Sequence, residues 1–151
     1  MNKRFLTLFL LGSFLFVGCQ TSFNTPRPAR KVHSAELNDL AKRYSQPDMA
    51  RSEASVEARQ WNHFEYGPLV VASAHGDEKA LQRMLKLRLD GEGGEEHAQN
   101  LLDLMKGLGD QAFATALKQC SAKERAEVLS DLDIGLNRKN YPLTFSLKPS
   151  N

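Results

Sequence analysis

The chain has 151 residues, a formal net charge of +2, 41% hydrophobic residues and 25% charged residues. This length fits one ordinary domain, and the composition excludes a wholly disordered chain, a collagen-like repeat and a membrane protein with several spans. Two cysteines are too few for a disulfide scaffold, and the sequence has no Walker, GxGxxG, GxSxG or HExxH motif.

The first 18 residues predict a signal peptide. Lys3 and Arg4 precede a mostly apolar run of thirteen residues that ends at Val17. A membrane-spanning helix needs about 20 apolar residues, whereas the apolar core of a signal peptide needs about 7 to 15. The segment 1–18 is therefore expected to direct secretion and not to span a membrane.

Residues 15–19, LFVGC, resemble the lipobox of bacterial lipoproteins. The resemblance implies that Cys19 is lipidated, becomes the first residue of the mature chain and anchors it to a membrane without a transmembrane helix. Gln20 stands where an aspartate retains such proteins in the inner membrane, which favours an outer membrane and a domain facing the periplasm. An ordinary secretory signal followed by an incidental cysteine is the alternative.

Loss of the signal peptide changes the charge of the chain. Lys3 and Arg4 leave with it, so the 20 basic residues become 18 and equal the 18 acidic ones. Nucleic-acid binding needs a basic surplus on one face, so we expect no nucleic-acid partner. Cys19 and the two-proline stretch after it predict a lipidated tether over 19–33, and 34–151 is expected to be one α-helical domain.

Apolar periodicity predicts two helices at the start of this domain. The first follows a Ser34 cap, and its apolar positions are Leu37, Leu40, Ala41 and Tyr44. The second is expected to start near Pro47 behind a Ser45 cap, and its apolar positions are Ala50, Ala54, Ala58 and Trp61. An aromatic cluster follows at Trp61, Phe64 and Tyr66; we favour a place in the core, and a binding hot spot is the alternative.

Residues 67–85, GPLVVASAHGDEKALQRML, resemble an ankyrin repeat. In this interpretation Pro68 opens a short helix, Gly76 adopts positive φ at its end, and Asp77 caps a second helix that packs back on the first. The pair Gly109 and Asp110 recurs 33 residues later, which is the repeat length of that family. The resemblance, extended over 62–145, implies a short ankyrin-like stack of helical hairpins; an irregular helical bundle is the alternative.

Three further segments have local signals. Residues 90–97, DGEGGEEH, are expected to be a solvated turn and the acidic start of a helix, and a calcium loop is the weaker interpretation because the spacing does not fit an EF-hand. Ser121 and Glu124 form a capping box at the start of a helix over 122–132. Alternation over 143–147 predicts a short extended segment at the C-terminus.

The sequence indicates no catalytic site, metal site or cofactor. Cys120 continues an apolar helix face and is expected to be buried. His63 and His97 are distant from it in the sequence and could meet it only through the fold, and no pair of histidines has ligand spacing on a helix. We therefore expect a non-enzymatic, lipid-anchored module that binds an unidentified envelope protein, as an immunity-type protein or a stabiliser of a periplasmic enzyme does. A structural accessory lipoprotein and, less favoured, an envelope hydrolase are the alternatives.

The ankyrin resemblance also implies where a partner binds. Ankyrin stacks present their loop tips and the exposed faces of the first helices. The corresponding residues, which we predict to bind protein, are Glu65, Tyr66, Val70 and His75.

Overall fold

The computed structural model describes residues 35–133 and 137–149, and in these ranges the chain is all-α. The eight α-helices and no strand found there confirm the predicted fold class. The helices are α1 (Ala35–Tyr44), α2 (Glu53–Asn62), α3 (Tyr66–Ala74), α4 (Glu78–Lys86), α5 (Gly91–Leu108), α6 (Asp110–Leu117), α7 (Ala122–Leu132) and α8 (Pro142–Phe145). The predicted signal peptide, Cys19, the tether and the Ser34 cap lie outside the described residues.

Helix α5 is the centre of the domain. It packs against α1, α2, α3, α6 and α7, and its Leu101, Leu104 and Met105 are fully buried. Burial of each such side chain contributes about 1.5–3 kcal/mol. Helix α1 lies against α3 and α5, and the four apolar positions predicted for it are all buried.

The predicted start of the second helix is wrong. Pro47–Arg51 forms a short 3₁₀ helix, and α2 begins at Glu53, after Ser52, whose hydroxyl accepts a hydrogen bond from the Ser55 amide at 3.3 Å. A serine hydroxyl satisfies a helix N-terminus, whereas Pro47 is followed by only one 3₁₀ turn. Ala54 and Ala58 are buried as predicted, but Ala50 is exposed.

Helices α3 and α4 form the hairpin that the sequence predicts. Gly76 has a φ of +86°, which confirms its predicted conformation. The Asp77 amide donates to the Ala72 carbonyl and the Gly76 amide to the Ser73 carbonyl, both at 3.0 Å, as in a Schellman motif. The Asp77 side chain then caps α4 by accepting a hydrogen bond from the Ala80 amide at 3.0 Å.

The second Gly-Asp pair forms a different turn. Gly109, with φ 83° and ψ 159°, connects α5 directly to α6 without a Schellman motif. Asp110 does not cap α6; its carboxylate accepts the amide hydrogens of Leu143 and Thr144, both at 2.8 Å. With 18 residues, α5 is also twice as long as α3. The equivalence implied by the 33-residue period is therefore absent here, and ankyrin-like stacking is not confirmed.

The C-terminal segment is helical, so the predicted extended conformation over 143–147 is wrong. Pro142 opens α8, and the Asp110 carboxylate satisfies the next two amides of that helix. Helix α8 packs on α6. The predicted capping box at Ser121 and Glu124 and the burial of Cys120, which is 3% exposed, are both confirmed.

Candidate functional site: a groove beside Trp61

Two of the four residues predicted to bind a partner are buried. Tyr66 and Val70 are 0% exposed, so their predicted place on the surface is wrong. The physical reason is that α3 packs against α1, α2, α4 and α5, which cover it on several sides. Glu65 and His75 are exposed, but they flank the two ends of α3, about 15 Å apart at 1.5 Å per residue. The four residues do not form one surface.

Glu65 already has a partner within the chain. The Arg59 guanidinium donates to both of its carboxylate oxygens, at 3.1 and 2.9 Å. This bidentate hydrogen bonding lowers the pKa of Glu65 from its usual value. Glu65 therefore links the end of α2 to the start of α3, which reduces its availability to another protein.

A buried polar network, missed by the sequence analysis, joins α1, α3 and α5. The Asn100 amide group donates to the hydroxyl of Tyr44 at 2.6 Å and to that of Tyr66 at 3.1 Å. The Tyr44 hydroxyl donates to the Glu96 carboxylate, and the Tyr66 hydroxyl lies 2.9 Å from Nδ1 of His97. With the Tyr66 hydroxyl as the donor to His97, each tyrosine hydroxyl accepts one hydrogen bond from Asn100. Each then donates its own hydrogen, Tyr44 to Glu96 and Tyr66 to His97.

Burial controls the protonation of this network. It lowers the pKa of His97 to about 4, although the backbone carbonyl of Met84 partly opposes the shift. Burial also raises the pKa of Tyr44 and Tyr66, so both keep their hydroxyl hydrogens at neutral pH. A neutral imidazole and two protonated phenols support a structural role for the network, since it holds three helices in register.

Close approach of α2 and α5 shapes the surface beside this network. The Glu57 carboxylate on α2 accepts the Asp90 amide hydrogen at 2.7 Å, directly before α5. A Cβ atom at Gly93 would collide with the same carboxylate. Residues 91–97 thus form the packed first turns of α5, which confirms the predicted acidic start of a helix. The solvated turn expected before it is limited to the exposed Asp90.

Trp61 is exposed because α5 begins one turn too late in the chain to cover it. Glu57 lies beside the first turn of α5, and the next turn of α2, which contains Trp61, extends beyond that helix end. Trp61 is 69% exposed and Val56, on the same helix, is 41% exposed. The preferred interpretation of Trp61 as a core residue is therefore wrong. Phe64, in contrast, packs partly buried against the core.

Both exposed side chains line an open groove of about 790 Å³, here named the Trp61 groove. Its walls are α2, Arg88 and the first residues of α5; the lining residues are Glu53, Val56, Glu57, Gln60, Trp61, Asn62, Arg88, Asp90, Gly91, Glu92 and Gly93. The groove therefore combines an aromatic surface with four carboxylates and one cation. No signal in the sequence distinguishes these residues from an ordinary helix face and turn.

Three further observations on the described residues concern metal binding, membrane spanning and the Cys120 thiol. In residues 35–133 and 137–149, no group of three His, Cys, Asp or Glu side chains could hold a metal ion. No helix in the same ranges is long and apolar enough to cross a membrane. Burial raises the pKa of the Cys120 thiol, which opposes its use as a nucleophile.

Comparison with known proteins gives no relative. No protein-family model matches the chain, and neither a curated protein nor a solved structure is significantly similar to it.

Proposed function

We propose that this protein is a lipid-anchored interaction module of a bacterial envelope and that it binds a protein partner through the Trp61 groove. The observation that carries the proposal is the exposure of Trp61, at 69%, beside Val56 in a concave surface. Tryptophan is enriched among the residues that dominate binding energy at protein interfaces. Glu65 and His75 do not line this groove, so we move the proposed contact from them to Trp61.

The membrane part of the proposal rests on the lipobox-like residues 15–19. Lipid chains on Cys19 would hold the protein on the outer membrane, and 20–33 would connect them to the helical domain. Cys19→Ala should abolish incorporation of a fatty-acid analogue and move the protein to the soluble envelope fraction. Equal labelling of the wild type and the variant would contradict the anchor.

The interaction part can be tested by a photo-crosslinking residue in place of Gln60, an exposed residue of the groove that leaves Trp61 intact, with the same residue at the exposed Lys118 as the control position. A partner-specific adduct should form from position 60 and not from 118. The partner identified in the adduct is then purified, and Trp61→Ala should weaken its binding by about 2 kcal/mol or more. Unchanged affinity in this variant would exclude the groove as the binding surface.

A further inference from the structure

The Trp61 groove has a surplus of negative charge that no group within the described chain neutralises. The carboxylates of Glu53, Asp90 and Glu92 line the groove without an intramolecular hydrogen bond or ion pair in the described residues. The fourth, Glu57, is bonded to the backbone amide of Asp90. Three carboxylates therefore remain available to a bound group.

The one cation of the groove is already engaged. Arg88 donates to the Glu127 carboxylate at 2.6 Å and to the carbonyl oxygens of Leu85, Leu87 and Glu124 at 2.6–3.1 Å. Its guanidinium thus faces acceptors on α4 and α7 and does not pair with the three free carboxylates. The negative charge is local, because basic and acidic residues are nearly balanced over the chain, at 20 and 18.

We infer that the segment of the partner that enters the Trp61 groove is cationic, with an arginine or lysine side chain over the Trp61 indole and its charge near Glu53 and Glu92. This inference rests on the proposed function and specifies the partner's chemistry. Tryptophan is the aromatic side chain that attracts a cation most strongly, and the aliphatic part of the same arginine or lysine can pack on Val56. Carboxylates on the rim speed the association of a positively charged segment.

The single tryptophan of the chain provides the test. The full chain, purified in detergent, is titrated with a synthetic peptide of alternating glycine and arginine while Trp61 emission is recorded. We expect a saturable change in emission that weakens as the ionic strength rises. A peptide of alternating glycine and glutamate is the matched probe, and it should leave the emission unchanged.

Charge-neutral variants locate the interaction. Glu53→Gln combined with Glu92→Gln should weaken the arginine peptide about fivefold, as expected for the loss of two exposed ion pairs. The control neutralises Glu36 and Asp39, two exposed carboxylates on α1 outside the groove, and should leave the affinity unchanged. Circular dichroism checks that both double variants remain folded.

The inference would be overturned by the absence of a response to the arginine peptide, by an equal response to the glutamate peptide, or by equal weakening in the control variant. Residues 20–33 contain the cations Arg27, Arg30 and Lys31. A variant without these residues tests whether this segment of the chain itself occupies the Trp61 groove. A gain in affinity after this removal would assign the groove to that segment and overturn the assignment to a partner. Failure of the crosslink from position 60, with peptide binding to the wild type intact, would instead refute the proposed function alone.

Discussion

Glu57 and Glu96 each cap the other's helix. Glu57, on α2, accepts the amide hydrogen of Asp90 at 2.7 Å, and Glu96, on α5, accepts that of Ala54 at 2.9 Å. The first amides of a helix have no acceptor within that helix, so each helix satisfies a donor at the start of the other. Each N-terminal turn is consequently stabilised in part by the other helix.

This relationship predicts unequal losses of stability. Glu96→Ala should lower the free energy of unfolding by about 1–3 kcal/mol, because it removes acceptors from the Ala54 amide and from the Tyr44 hydroxyl. Glu57→Ala should cost less, since the Asp90 amide is near solvent. Urea denaturation measures both. The exposed neighbour Glu95→Ala is the control, and a loss as large as that of Glu96→Ala would contradict the capping role.

Asn100 should be the most sensitive polar position of the buried network. Asn100→Ala removes both hydrogen bonds to the tyrosine hydroxyls and leaves a small cavity, at a cost of about 2–3 kcal/mol. Asn38→Ala, at an exposed position of α1, should change stability by less than about 0.5 kcal/mol. Equal urea midpoints for the two variants would show that the network contributes no stability.

Stability should fall in acid because of His97. Its pKa is about 4 in the folded protein and about 6.5 in the unfolded chain, so the unfolded chain binds more protons between these values. The contribution of the neutral His97 to the free energy of unfolding is therefore fully present above pH 6.5. It decreases by about 3 kcal/mol as the pH falls to 4.

The matched variants for this pH dependence are His97→Gln and His75→Gln. Urea midpoints measured between pH 7 and pH 4 should decline less in His97→Gln than in the wild type, because the titrating ring is gone. His75→Gln should decline like the wild type, since His75 is exposed. Parallel declines in all three proteins would assign the acid sensitivity to other groups.

The two positive-φ glycines should respond differently to asparagine. Valine at Gly76 or Gly109 should lower the free energy of unfolding by about 1–2 kcal/mol, because each glycine has a positive φ that strains a residue with a Cβ. A steric clash does not contribute, since no atom lies within 4 Å of the added Cβ at either position. Asparagine is tolerated at a Schellman C′ position, so Gly76→Asn should destabilise the protein less than Gly76→Val does. Gly109, with ψ 159°, occupies a region that only glycine adopts readily, so Gly109→Asn should cost as much as valine. Equal melting temperatures for Gly76→Asn and Gly109→Asn would contradict this difference.

Helical periodicity and helix caps, which depend on residues close in the sequence, predict much of the fold. The elements that the sequence does not predict depend on contacts between residues far apart in the chain. Periodicity identified α1, and the caps at Asp77 and Ser121 depend only on residues three positions away. In contrast, α8 depends on Asp110, which is 33 residues before Leu143 in the chain. Alternating apolar residues over 143–147 therefore gave the wrong conformation.

The site was missed for the same kind of reason. Helical spacing from Ala54 and Ala58 predicted burial for Trp61, but its exposure depends on where α5 begins, some thirty residues later. Tyr66 and Val70 were placed on the surface by analogy with a repeat. Neighbours on several sides of α3 bury them, and sequence spacing does not reveal this.

Burial of Cys120 makes the domain suitable for labelling at a single chosen position. The chain has two cysteines, so Cys120 is the only thiol left in a Cys19→Ala variant. Its side chain is 3% exposed and its pKa is raised by burial, so both access and thiolate formation are unfavourable. A cysteine introduced at the exposed Gln60, on the wall of the Trp61 groove, should therefore react with a maleimide dye first, with the native thiol left in place.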